Sequence, residues 1–252
     1  MTKQRLRDTW LIHKHEAGVL GLIYVAMTAV WVGFGLLLTH PLKNSFIVHN
    51  DQSVSEWFVR HRTTRLNSLS FAGSMLSDTV AKIAVTVVVA IVFLVIWKRW
   101  LEPLTVVVPT ILEAMCFITV TWIVGRPRPS VPHLDTSPVG SSYPSGHTGA
   151  AAAYFAIVVV IFWHTRRTWI RALVATVAVL IPIAVALSRM YRGMHFLTDV
   201  VFGALLGTTS VIASVIVLRR AAERYGQVDT TLEGWGHENE LARSPADRAP
   251  VS

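Results

Sequence analysis

The chain has 252 residues, of which 52% are hydrophobic and 15% charged, and its mean hydropathy is +0.49. That balance excludes an ordinary soluble domain and points to a membrane protein. The formal net charge of +8 does not argue for nucleic acid, because the cations stand beside apolar runs and not on a soluble face interleaved with aromatics; anionic lipid headgroups account for most of them.

Crossing a bilayer takes about 20 mostly apolar residues. Runs of that kind lie at roughly 17–39, 79–97, 103–124, 147–164, 169–187 and 198–218, with Pro182 interrupting the fifth as a tolerable kink. The first run is too long for the apolar region of a signal peptide and no small-residue cleavage site follows it, so it is expected to stay in the protein. The fold expected is all-α, a six-transmembrane-helix bundle within residues 1–225 whose core is 79–218. From 226 to 252 the sequence is polar and rich in turn formers, and reads as a disordered cytoplasmic tail.

Basic residues set the orientation. Lys3, Arg5, Arg7 and Lys14 precede span one, Lys98 and Arg99 separate spans two and three, Arg166, Arg167 and Arg171 separate spans four and five, and Arg219, Arg220 and Arg224 follow span six. The positive-inside rule then places both termini in the cytoplasm and turns the connections 40–78, 125–146 and 188–197 outward. Those connections carry arginines too (Arg60, Arg62, Arg65, Arg126, Arg128, Arg189 and Arg192), so the rule holds as a bias.

Within the first outer connection, 51–65 alternates apolar and charged residues at near-helical spacing. It reads either as an amphipathic surface helix with Trp57 and Phe58 at the interface or as a solvated loop. Span three contains the single cysteine, Cys116, which rules out a disulfide within the chain and reads as a small core hydrophobe. It also contains Glu113, an expensive residue at that depth. A helical rise of ~1.5 Å per residue puts Glu113 about 22 Å from Arg128, too deep for a shared ligand. It therefore lines a groove, pairs inside the bundle, or stays neutral.

Three polar clusters occupy the outward span ends: TWIVGRPRP at 121–129, YPSGH at 143–147, and SRMYRGMH followed by FLTD at 188–199. If the helices bundle, these ends converge. Prolines on both sides hold Arg128, and its guanidinium, with that of Arg189, can fork around a phosphate. Ser145 caps the next helix, so that free amides and the positive helix end face an anion, with Gly146 permitting close approach. His195 and Asp199 are four apart, which puts them on one face if both are helical; the carboxylate would fix the imidazole tautomer and free the other nitrogen as a nucleophile. His147 supplies a proton to the leaving group and then activates water. His13, His15, His40, His49, His61, His133 and His164 read as structural hydrogen bonders.

Arg128-Pro129, Pro144-Ser145-Gly146-His147 and Ser188-Arg189 with His195 and Asp199 resemble, spacing included, the three elements of the type 2 phosphatidic acid phosphatase family. The resemblance covers spans three to six. It implies a six-span helical core, metal-free and cofactor-free hydrolysis of lipid phosphates or diphosphates, His195 as nucleophile, His147 as acid, Asp199 as orienting group, and Arg128 and Arg189 on the phosphate. Substrates of that kind are polyprenyl diphosphate, phosphatidic acid and phosphatidylglycerol phosphate. The first family element begins with a lysine, and here that position is Thr121. A hydroxyl makes a weaker bond to phosphate than an ammonium does, so either turnover drops or Arg126 or Arg192 replaces the cation, with Arg192 preferred. Two competing readings are a lipid-linked phosphotransferase and a catalytically silent protein that binds anionic lipids.

Overall fold

The computed structural model describes residues 10–137 and 139–226; Lys3, Arg5, Arg7 and the expected tail from Gln227 onward lie outside them. Among the described residues the chain forms nine helices: α1 (Lys14–Thr39), α2 (Phe46–Arg60), α3 (Thr64–Met75), α4 (Thr79–Trp97), α5 (Leu101–Val124), α6 (Gly146–Ala153), α7 (Phe155–His164), α8 (Thr168–Tyr191) and α9 (Leu197–Arg224). Taking α6 and α7 together, six segments are long and apolar enough to cross a membrane, and they match the six expected spans.

Two features refine that expectation. Pro182 does not interrupt its helix, because α8 runs unbroken from Thr168 to Tyr191. The break falls instead in span four at Tyr154, whose amide bonds to the carbonyls of Ala151 and Ala152 and whose hydroxyl donates to the Leu76 carbonyl at 3.2 Å. The amphipathic stretch is helical, but it begins at Phe46 and ends at Arg60; a second helix follows after a turn at 61–63, where the Thr63 hydroxyl accepts from the Leu66 amide. Trp57 is 49% exposed, while Asp51 and Ser55 on the opposite face are buried.

The core is built around α5, α6 and α9, the most buried of the helices. Glycine allows α6 and α9 to meet backbone to backbone. A Cβ added at Gly203 would collide with the Ser145 carbonyl, and one at Gly207 with the Gly149 carbonyl. Between membrane helices, where lipid competes for apolar contacts, such small-residue seams give dispersion its closest approach. Tyr143, fully buried, ties α1 to this core by donating its hydroxyl to the Trp31 carbonyl at 3.1 Å. At the far end, α5 stops at Gly125, whose φ of 57° ends the helix and whose amide still bonds the Thr121 carbonyl at 3.3 Å. The chain then crosses the mouth of the bundle from 126 to 145.

Gly207→Leu is expected to destabilise the bundle by about 1–3 kcal/mol, the cost of overpacking a closed seam. Gly33→Leu, at a position with nothing within 4 Å, serves as the matched control and is expected to change stability by less than about 0.5 kcal/mol. Thermal unfolding of both variants in one detergent checks the contrast.

Candidate active site

A cavity of about 350 Å³ opens where the connection 126–145 crosses the bundle. Its wall takes Ser74 from α3, Asp78 and Lys82 from the start of α4, Phe117 from α5, Arg128, Asp135 and Ser141 from the connection, Gly146 and His147 from α6, Arg189 from α8, and His195 from just before α9. Five of the sequence-predicted residues, His195, His147, Arg128, Arg189 and Gly146, therefore line one space.

His195 is 4% exposed, and its Nδ1 lies 2.7 Å from the Ser142 carbonyl. Burial, and then the charges of Arg189 and Arg128, hold its pKa well below the ordinary value, so the ring is neutral. A carbonyl only accepts. The proton must then sit on Nδ1, which leaves Nε2 with a lone pair.

Ser142, not Asp199, thus fixes the tautomer. Asp199 Oδ2 is 3.9 Å from Nδ1, beyond hydrogen-bond range. The expected face-sharing fails because α9 begins at Leu197, so His195 precedes the helix. Asp199 is engaged elsewhere: Oδ1 accepts from Arg126 at 2.6 Å, Oδ2 accepts from the Phe196 amide at 2.9 Å, and its carbonyl accepts from the Ser145 amide at 3.0 Å. Arg126 continues this network to Asp51 Oδ2 at 2.9 Å and to Thr198 Oγ1 at 2.7 Å. Asp51 binds the Thr198 amide and hydroxyl as well, so α2 is pinned to the start of α9.

The two cavity arginines are held in different ways. Arg128 donates to the carbonyls of Met194, Val139 and Ser141 at 2.5, 3.0 and 3.2 Å and to Ser137 Oγ at 2.8 Å. Arg189 donates from Nη1 to Ser74 Oγ at 2.9 Å and to Asp135 Oδ2 at 3.0 Å, while its buried Nε has no hydrogen-bond partner among the described residues. Burial alone would raise the Asp135 pKa, but bonding to Arg192 and the charges of Arg189 and Arg192 hold its carboxyl below the usual aspartate value.

Five sequence-predicted residues are held in other ways than expected. Arg192 does not line the cavity: it grips Asp135 with Nε at 2.6 Å and Nη2 at 2.5 Å, and bonds the Asn67 carbonyl and Ser70 Oγ at 3.2 Å. Its guanidinium is consumed by the loop anchor, and that of Arg126 by the Asp51 and Asp199 pair, so neither replaces the absent lysine. Thr121 is also away from the cavity, donating to the Tyr143 carbonyl at 3.0 Å. Ser145 caps α6 as expected, its Oγ accepting from the Thr148 amide, but it is fully buried and turned from the cavity. Gly146 does line the space, yet what its missing Cβ admits is the ring of Phe117, at 2.8 Å from the position a Cβ would take.

The model of the PAP2 superfamily matches residues 102–223, which includes all three polar clusters. Over that stretch, just under half of its length, the chain is similar to the PAP2 superfamily. Over 85 residues the chain is 34% identical to the bacitracin transport permease protein BcrC of Bacillus licheniformis, a match over 33% of this chain and 37% of that protein; the chain therefore spans little more than a third of that curated relative. Among solved structures it is similar to a transmembrane PAP2-type phosphatidylglycerolphosphate phosphatase from Bacillus subtilis, with a TM-score of 0.60, 22% identity and coverage of 81% of this chain and 94% of that one. LpxE of Aquifex aeolicus is similar with a TM-score of 0.50, 24% identity and coverage of 65% and 93%. At these identities the two structures establish the shared fold alone, a six-span helical bundle, and with its six long apolar helices the chain is a multi-pass membrane protein.

Sequence reasoning missed Asp78, Lys82 and Asp135 on the cavity wall. Lys82 was detectable, as the one charge inside the apolar run 79–97, by the argument already applied to Glu113. The two are partners, with Lys82 Nζ 3.2 Å from Glu113 Oε2. That realises the paired alternative for Glu113.

Arg126→Met would leave Asp51 and Asp199 buried and unpaired, and is expected to cost about 3–5 kcal/mol in detergent unfolding experiments. A pH series checks the state of His195. Its folded pKa is depressed, so its stability contribution is full above about pH 6.5, the unfolded value, and is lost as the pH falls toward the folded value. Wild type should lose more stability than His195→Asn over that acid range.

Proposed function

We propose that the chain is an integral membrane lipid phosphatase that hydrolyses a phosphomonoester or diphosphate lipid through a phosphohistidine. The observation that carries this reading is the placement of His195, His147, Arg128 and Arg189 on one cavity, with the His195 proton directed to Nδ1 by a backbone carbonyl. Phe71, Met75 and Phe117 give the same wall an apolar side suited to a lipid chain.

In the first step the Nε2 lone pair of His195 attacks phosphorus, the P–O bond to the leaving group breaks, and His147 gives its proton to the departing oxygen. The new cationic ring keeps its bond to the Ser142 carbonyl. Arg128 and Arg189 bear the negative charge of the phosphoryl oxygens, and the unpartnered Nε of Arg189 is a donor free to take one of them. Asp78, 3.8 Å from His147 Nε2, faces the charge that His147 carries as an acid. In the second step His147 takes a proton from water, the hydroxide attacks phosphorus, and the P–N bond breaks to regenerate His195.

This reading places the cavity outward and both termini in the cytoplasm. The support is the distribution of basic residues: Lys98, Arg99, Arg166, Arg167, Arg171, Arg219 and Arg220 all lie at the span ends opposite to the cavity.

Purified protein in detergent, with a chelator present, is expected to release phosphate from at least one of a polyprenyl diphosphate, phosphatidic acid and phosphatidylglycerol phosphate. His195→Ala is expected to reduce release by at least about 1000-fold, as the loss of a nucleophile does. Release that depends on an added acceptor would move the assignment to a phosphotransferase. Lipid binding without release, equal in wild type and His195→Ala, would leave only a binding protein.

A further inference from the structure

The cavity does not end at the two histidines. On α4, Lys82 lies one turn below Asp78 and its side chain forms part of the wall. Asp78 in turn lies 3.8 Å from His147 Nε2. Lys82 thus adds a cation to the stretch of wall that Asp78 and His147 share, the side from which a leaving group departs.

Lys82 is an expensive residue in this place. Its side chain is 13% exposed, and it is paired with Glu113, which is fully buried in α5 and whose Oε1 has no hydrogen-bond partner among the described residues. A single contact at 3.2 Å offsets the desolvation of two charges poorly, and apolar residues of the same volume would stabilise the bundle as well or better. Its position on the cavity wall provides the reason for its presence that packing does not.

We infer that Lys82 binds the phosphate of the leaving group, which adapts the site to lipid diphosphates over lipid phosphomonoesters. The inference rests on the phosphatase reading above. When His195 attacks the terminal phosphorus of a diphosphate, the N–P bond forms, the bridging P–O bond breaks, and the bridging oxygen takes the His147 proton. The departing molecule is then a lipid monophosphate whose charge lies next to His147. Lys82 meets that charge, and Glu113 holds the ammonium in place while the site is empty. With a phosphomonoester the same place receives the uncharged carbon chain of an alcohol, and the ammonium has nothing to bind. The cation absent at Thr121 is therefore restored from another helix, at a different station in the reaction.

The test compares a polyprenyl diphosphate with the polyprenyl monophosphate of equal chain length, so that only the second phosphate differs. Steady-state kcat/KM is measured for wild type, Lys82→Arg, Lys82→Met, and Lys82→Met combined with Glu113→Gln, the last removing both charges so that no buried acid is left unpaired. Wild type should favour the diphosphate. The double variant should lose about 10–100-fold on the diphosphate, the range of one charge-assisted bond, while changing about threefold or less on the monophosphate. Lys82→Arg should retain most of the preference. Equal losses on both substrates, or no loss on either, would overturn the inference and make the pair structural. If wild type releases phosphate from neither lipid, the phosphatase reading fails, and binding of the two lipids by calorimetry decides separately: a diphosphate affinity lost selectively in the double variant supports the subsite, and equal affinities refute it.

Discussion

The ion pair between Asp199 and Arg126 is the constraint on which the rest of the site depends. Both residues are buried, with side chains 0% and 4% exposed, and neither charge could remain there alone. By engaging Arg126, the Phe196 amide and, through its own carbonyl, the Ser145 amide, Asp199 fixes the beginning of α9 and of α6 together. Those two helix starts carry His195 and His147. The second acid on Arg126, Asp51, extends the constraint to α2, so the amphipathic helix is part of the same framework and not an appendage.

Asp135 plays the corresponding part on the opposite wall. Two arginines hold one carboxylate, Arg192 from the side of α3 and Arg189 from the cavity. That arrangement sorts the cations near the cavity by function. Arg126 and Arg192 are spent on internal acids, Arg128 is fixed mostly by carbonyls that leave its charge uncancelled, and Arg189 is only partly neutralised. Positive potential is thereby concentrated at His195, where its neutral ring is the electrostatically favoured state.

The spans could be read from sequence because a bilayer demands long uninterrupted apolar runs, a requirement that composition alone expresses. The motif residues could be assembled because three polar clusters fell at span ends of one side. Pairings across distant segments left no such trace. Nothing local indicated that Arg192 would close on Asp135, 57 residues away, or Arg126 on Asp51, 75 away. The inference that failed most instructively was the pairing of His195 with Asp199. Spacing of four implies a shared face only inside a helix, and the extended backbone at Phe196, with φ −74° and ψ 164°, places the helix start between them. Thr121 was misjudged differently: the position was right within its motif, but a hydroxyl there finds the Tyr143 carbonyl and is absorbed into the framework.

The glycine seam between α6 and α9 has a mechanical consequence. Helices in bilayers of different thickness tilt to match the hydrocarbon layer, and helices joined by long side chains can slide as they do so. At Gly203 and Gly207 the two backbones touch with no side chain between them, and α6 and α9 must tilt as one body. The separation of the two imidazoles is then a dimension of the protein and not of the membrane around it, so the geometry of the cavity is insulated from changes in lipid composition.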